Sequence, residues 1–403
     1  MANTISRRGL IELGVAGASA ALPLGGSAQA APAPAPRPGK PYPDSEKLGF
    51  AVVGLGKLSQ GQIIPGFKNA RGAKLAAVVS GHPDKAHRIA AENGLPADAI
   101  YSYEDYDRIA HDPRIHVVYI VLPNSMHAEY TIRALKAGKH VLCEKPMATS
   151  IADAEAMIAA AKTADRKLMI AYRCHYEPTN LEAMRRLRSG ALGRPRVVVT
   201  DMGRQATLSE PSDAWRLDMA MSGGGALADM GIYGINASRY LLNEEPVEVR
   251  AWASTDHSDP RFRTVEDLIS WQFRFPSGAI GEGATGFSYA GTMAFRAYCE
   301  HGKLSADPGC FYGGNRLSVQ DAQGDSPVRI TEGDQFAREM DWMADVVRGR
   351  APMVSPGEEG LQDMRLMKAI MDSVANNGAP VRTDWGYRRA FDPAAVVDPP
   401  RSA

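Results

Sequence analysis

A strand that runs directly into a glycine turn constrains this chain more than any other feature. The apolar residues Phe50 to Val53 lead to Gly54-Leu55-Gly56, and Ser59 stands at the third position of a G-x-G-x-x-G frame. Glycines placed there permit a tight strand-to-helix turn and let the backbone approach a pyrophosphate at a helix N-terminus. Ser59 is small enough for the third role, close packing of helix on strand. Gly54, Gly56, Lys57, Leu58 and Ser59 are therefore candidate nucleotide-binding residues. Further strands are predicted near 74–80, 116–122, 139–143 and 167–171, after a first at 49–54, with helical stretches such as 83–93 and 151–163 between them. That alternation predicts an α/β fold built on a doubly wound parallel sheet.

The texture changes near residue 175. VVVTDMG, VEVRAWAST, DLISWQFRF and MAFRAYCE follow one another with turns such as Pro276-Ser277-Gly278 rather than long connecting helices. Consecutive strands of this kind predict a second, α+β domain with a large, mostly antiparallel sheet. Helical stretches near 335–348 and 357–376 come after those strands, and one is expected to return to the first domain. The division is 1–30 N-terminal segment, 31–45 proline-rich arm, 46–170 nucleotide-binding domain, 171–387 second, sheet domain, and 388–403 tail.

The first thirty residues carry Arg7-Arg8, a weakly apolar Ala/Gly/Leu run and Ala28-Gln29-Ala30. This is the pattern of a twin-arginine signal with an A-x-A cleavage site, so export of a folded protein to the periplasm is expected. That route suits a protein that acquires a nucleotide before it leaves the cytoplasm. The arm APAPAPRPGKPYP is too rich in proline for helix or sheet. Lysine plus arginine equals aspartate plus glutamate at 46 each, so charge gives no reason to expect nucleic acid or a membrane surface as partner. Cys143, Cys174, Cys299 and Cys310 lack metal-ligand spacing, and no metal is expected.

Three segments carry candidate chemistry. HVLCEKPMA places Glu144, Lys145 and Pro146 at the carboxyl end of a predicted parallel strand, the edge where open α/β sheets bind ligands. The second strand ends in Ser80, where an NAD-selective site usually carries an acid for the ribose 2′-hydroxyl. Ser80 can instead donate to a 2′-phosphate and Lys85 can neutralise it, which favours NADP. SGGGALADMGIYGIN continues as a predicted helix with Asp229 and Tyr233 four residues apart on one face, two proton-handling groups of the kind an alcohol oxidation needs. Tyrosine titrates near 10, so Lys145 is expected to lower Tyr233 for base work near neutral pH. AYRCHYEP supplies Arg173, His175 and Tyr176 as polar and aromatic candidates for contact with a polyol.

With GLGKLSQGQIIPGF, LPNSMHAEY, HVLCEKPMATS, MIAYRCHYEP, GGGALADMGIYGIN, SPGEEG and TDWGY in order, nearly the whole chain resembles glucose-fructose oxidoreductases of the Gfo/Idh/MocA family. The resemblance implies an NADP that is not released between turnovers, oxidation of an aldose to its lactone, and reduction of a ketose to a polyol in the same site. It implies Lys145 and Tyr233 as the proton-transfer pair and Asp229 as the residue that orients the sugar. Ser80, Lys85 and Tyr103 fall at the adenosine 2′-phosphate, and Pro123, Asn124, His127, Glu144 and Lys145 fall along the cofactor. It further implies a homo-oligomer formed through sheet faces, with the arm reaching a neighbour's cofactor. Residues 203–213, GRQATLSEPSD, depart from the family's pattern and leave the second substrate open between ketose and aldose. An NAD-using glycosidase on the same fold and a sugar sensor without turnover are the other readings.

Overall fold

A computed structural model describes residues 41–389 together with Asp392 and Pro393. The export signal, most of the proline-rich arm and most of the tail lie outside the described residues. Strands β1 (Leu48–Val53), β2 (Ala73–Val79), β3 (Ile100–Tyr101), β4 (Val117–Ile120), β5 (His140–Glu144) and β6 (Leu168–Ala171) form one sheet in the order β3-β2-β1-β4-β5-β6. Every neighbouring pair is parallel. Phe50 to Val53 and Val117 to Ile120 are fully buried, as strands covered on both faces must be. Helices Pro83–Glu92, His127–Lys136 and Ile151–Ala164 supply crossovers. Strand order reverses between β1 and β4, and the crevice outside their carboxyl ends is where such sheets take ligands.

The second sheet has nine strands: β7 (Pro195–Gln205), β8 (Glu248–Ser254), β9 (Leu268–Arg274), β10 (Ile280–Gly286), β11 (Ser288–Cys299), β12 (Gly302–Ala306), β13 (Leu317–Asp321), β14 (Gly324–Val328) and β15 (Val381–Arg382). Their order is β14-β13-β12-β11-β7-β10-β9-β8-β15. It is antiparallel apart from β7 with β10. In β9, Ile269, Trp271 and Phe273 point inward while Leu268, Ser270, Gln272 and Arg274 face out, the period of two expected of a sheet buried on one face. Helix Ile232–Leu242 covers β7 on the buried side. The short strands β12 to β15 and the glycine-rich β10 were not legible in the sequence, because each carries at most two large apolar residues and so stands out little from the turns around it.

Both late helices, rather than one, return to the first domain. Asp334 caps helix Gln335–Val347 by accepting from Phe336 and Ala337 N–H, and Asp341 on that helix accepts from the Arg71 and Gly72 N–H groups. Burial pushes the Asp341 carboxyl up to about 6. Helix Gly357–Ala375 packs on Ile151–Ala164 and β6. Ser355, just before it, accepts the Ile170 N–H through its carbonyl and donates its hydroxyl to the Ile170 carbonyl. Arg239, fully buried, ties this helix to the second domain through Glu245, Glu359 and Asp363. Among the described residues no helix is long and apolar enough to cross a membrane.

Candidate active site

The glycine turn has the shape a dinucleotide requires. Gly54 has φ +92°, and a Cβ there would lie 2.3 Å from the Val121 carbonyl oxygen, so only glycine fits. A Cβ on Gly56 would meet nothing within 4 Å, leaving open space beside the turn. Ser59 is buried and donates its hydroxyl to the Gly54 carbonyl at 2.5 Å, so it fastens the turn that a third glycine would only accommodate. Lys57 is exposed and reaches across to Glu210 at 3.4 Å. The following helix starts as one wide turn, Ser59–Ile63, before Ile64–Gly66.

At the end of β2, Ser80 accepts the His82 N–H at 3.1 Å, which leaves the serine's own proton available to an anion. The Tyr103 ring lies against Gly81, and a Cβ on Gly81 would sit 2.9 Å from it. Lys85 is half-buried in the first turns of helix Pro83–Glu92. Among the described residues near this strand end, no acid occupies the place of Ser80. A 2′-phosphorylated nucleotide fits these residues: glycines for its pyrophosphate, a donor hydroxyl and an ammonium for its phosphate.

The reacting centre lies where β5 ends. Lys145 donates to the Asp229 carbonyl oxygen at 2.7 Å, lies 3.8 Å from the Asp229 carboxylate, and sits 4.4 Å from the centre of the Tyr233 ring. Burial brings the Lys145 ammonium down to about 8, with Asp229 and Glu144 opposing the shift. Burial likewise opposes ionisation of Asp229, but the charges of Arg216, Lys145 and Arg204 outweigh it and hold this carboxyl well below the ordinary range. Arg216 Nε meets Asp229 at 3.0 Å and Arg204 Nη2 meets it at 3.2 Å. Arg204 is fixed in turn by Asp213 at 2.7 Å. The Arg173 guanidinium also lies over Tyr233, 4.8 Å from its ring centre, and 4.7 Å from the ring centre of Tyr312. Gln335 and the Cys310 carbonyl hold Arg173 at 2.6 and 2.8 Å.

The structure brings Lys145, Asp229, Tyr233 and Arg173 together and corrects four expectations. Lys145 faces the ring of Tyr233 rather than its hydroxyl, and burial pushes the Tyr233 phenol well above its ordinary value despite the charge of Arg173. The group that titrates near neutral pH is thus the lysine. His175 is not at the cleft: it is fully buried, bonded to Asn236 at 2.9 Å and facing Arg389, and burial takes it down to about 3. Tyr176 is also fully buried, with its hydroxyl on the Met169 sulfur and its ring against Trp342. His127 lies inside the first domain with one ring nitrogen on the Pro146 carbonyl and the other on the Leu122 carbonyl, both at 2.9 Å. It braces the loop after β4 against the loop after β5 and does not line the nucleotide groove.

Asn124, next to Pro123, donates to the Ser222 carbonyl at 2.8 Å and so joins the nucleotide domain to the triglycine segment. Sequence reading missed Arg204, Arg216 and Tyr312. The first two were signalled only indirectly, since a buried Asp229 demands counter-charges and residues 203–213 fitted no known pattern. Among the described residues no cluster of three His, Cys, Asp or Glu side chains has metal-site geometry.

Comparison with known proteins gives a consistent result. Residues 48–172 match the oxidoreductase family GFO/IDH/MocA, described as an NAD-binding Rossmann fold, and residues 180–305 match the GFO/IDH/MocA C-terminal domain. The chain is 30% identical over 339 residues to D-xylose 1-dehydrogenase [NADP(+)] of Haloarcula marismortui, a match covering 83% of this chain and 93% of that one. It is 26% identical over 343 residues to 1,5-anhydro-D-fructose reductase of Ensifer adhaerens, covering 82% and 97%. Among solved structures, aldose-aldose oxidoreductase from Caulobacter crescentus, complexed with glycerol, superposes with a TM-score of 0.81 at 41% identity over 83% of this chain and 99% of that one.

Proposed function

The chain belongs to the GFO/IDH/MocA oxidoreductase family, and on that premise we propose that it is an NADP-dependent sugar oxidoreductase that oxidises an aldose at carbon 1 and returns the hydride to a second sugar. The observation that carries this reading is the placement of Lys145 against Asp229 and Tyr233 at the carboxyl end of β5, on the side where the glycine turn opens. Lys145, neutral above about pH 8, accepts the proton of the carbon 1 hydroxyl. Tyr233 keeps its own proton and donates a hydrogen bond to the sugar. Asp229, ionised throughout, accepts from a neighbouring hydroxyl and fixes the ring's orientation. A bound NADP supplies the hydride acceptor and, once reduced, the donor. Arg204 and Arg216 keep Asp229 in place, and the aromatic faces of Tyr233 and Tyr312 bound the cleft.

Similarity to an aldose-aldose oxidoreductase at 41% identity supports an aldose as the second substrate in preference to the ketose expected from the sequence. Retention of NADP between half-reactions and export to the periplasm are part of the proposal, supported by the Arg7-Arg8 signal. A homo-oligomer is supported by Trp252, Leu268, Ile280 and Tyr298, large apolar side chains exposed on the second sheet. The test is to purify the protein without added cofactor, denature a portion, and identify the released nucleotide. The remainder is then offered glucose alone, or glucose with fructose. NADP with paired aldonate and alditol from glucose alone supports the aldose-aldose reading, and sorbitol only when fructose is present restores the ketose. Absence of both NADP and any oxidised sugar sinks the reading.

A further inference from the structure

Beneath Lys145 lies a pair of carboxyl groups that the reaction above does not use. Tyr119, at the centre of β4, directs its hydroxyl to Glu144 Oε1 at 2.9 Å and to Glu339 Oε2 at 3.2 Å. Glu339 arrives from helix Gln335–Val347, is fully buried, and its other oxygen has no hydrogen-bond partner. A phenol has one proton and donates to one acceptor. Were both acids ionised, one carboxylate would face the lone pairs of the phenol oxygen with no proton between them, away from water, an arrangement that costs several kcal/mol. One of the two acids must therefore carry a proton that it donates to Tyr119.

We infer that Glu339 is held as a neutral acid and acts as a positioning residue: its O–H donates to Tyr119, Tyr119 donates to Glu144, and Glu144 remains the ionised carboxylate behind Lys145. The assignment between the two acids follows from their surroundings. Burial raises the Glu144 carboxyl above its ordinary value, but Glu144 is only half-buried, receives the shorter bond, and has the charges of Lys145 and Arg173 and the Lys145 N–H opposing that rise. Glu339 has the Glu144 carboxyl, the Cys174 thiol and the Tyr176 phenol around it, with Arg173 as the cation in reach, and burial drives it well above the carboxylate range. A second ionised acid here would hold the proton on Lys145. A neutral Glu339 lets the lysine shed it near pH 8.

This inference rests on the oxidoreductase reading for its consequence and not for its chemistry. The infrared difference between wild type and Glu339→Gln at pH 7 should show loss of a protonated carboxyl C=O band, whether or not the protein turns over sugar. In activity, Glu339→Leu should lower kcat/KM about tenfold and displace the rising limb of its pH profile, the limb set by Lys145, since Tyr119 then loses its donor. Glu339→Gln, which keeps a donor and no charge, should restore both. A carboxylate band lost in place of the acid band, or a Gln variant whose limb falls by about one unit because a negative charge was removed, overturns the inference. Activity absent from the wild type condemns the oxidoreductase reading alone, because the infrared result still decides the protonation of Glu339.

Discussion

Replacing Asp229 with asparagine tests the electrostatics of the site most directly. The carboxylate stands 3.8 Å from the Lys145 ammonium. At an effective dielectric of about 20, two unit charges at that distance attract by about 4 kcal/mol, which corresponds to roughly three pKa units. Residual water at the cleft reduces this, so a fall of about one to three units is expected in Asp229→Asn. The sign follows from the cation. Asp229 favours the charged lysine, so its removal lowers the Lys145 value from about 8, and Arg204 and Arg216, left without their partner, push the same way. The measurement is kcat/KM for aldose oxidation across pH 5 to 10 with wild type and variant. The wild-type rate should rise with pH to a plateau above about 8 as Lys145 loses its proton. In the variant the plateau should be lower, because the sugar is less well oriented, while the rise moves to lower pH. Relative to its own plateau, the variant should then be about ten- to ninetyfold more active than wild type at pH 6. A rise that stays near pH 8, or moves upward, would refute both the pairing of Asp229 with Lys145 and the assignment of Lys145 as base.

Tyr233→Phe should lower kcat about a hundredfold yet leave the rise near pH 8 in place, because the phenol titrates well above the assay range; a lost or displaced rise in the same pH series would make Tyr233 the base after all. Ser80→Asp places a carboxylate where a 2′-phosphate would bind, and should shift preference from NADP toward NAD by about ten- to a hundredfold, read from the nucleotide released on denaturation and from binding titrations of stripped protein. Gly54→Ala forces a Cβ to 2.3 Å from the Val121 carbonyl at φ +92°, and should destabilise the fold by about 1–3 kcal/mol in urea while abolishing nucleotide binding. Arg239→Met leaves Glu245 and Asp363 buried without their cation, with Arg389 as the cation remaining on Glu359, and should cost about 3–5 kcal/mol in the same unfolding assay.

The nucleotide domain was legible from local pattern because its determinants are local. A buried parallel strand must be a short continuous apolar run, and a turn that admits a pyrophosphate must carry glycine, so β1, β2, β4, β5 and β6 and the Gly54 turn could be placed from the chain alone. Lys145 and the Asp229/Tyr233 pair were legible for a similar reason, one at the exit of a strand and the others on one helix face. The partners of these residues were not. Arg204, Arg216 and Tyr312 come from a strand end, a short turn and a loop distant in sequence from β5, and no periodicity marks them. His175, Tyr176 and His127 were misplaced because a polar residue near a strand end has the same pattern whether it faces a cleft or closes a buried network.

The sequence by itself determined a dinucleotide turn, a second sheet and which side chains could move a proton. Only the tertiary structure decided how those side chains are charged. Lys145 titrates near 8, Tyr233 does not titrate in the working range, and Asp229 stays ionised. Those states depend on burial and on charges three to five ångströms away, and such distances exist only after segments far apart in the chain have packed together.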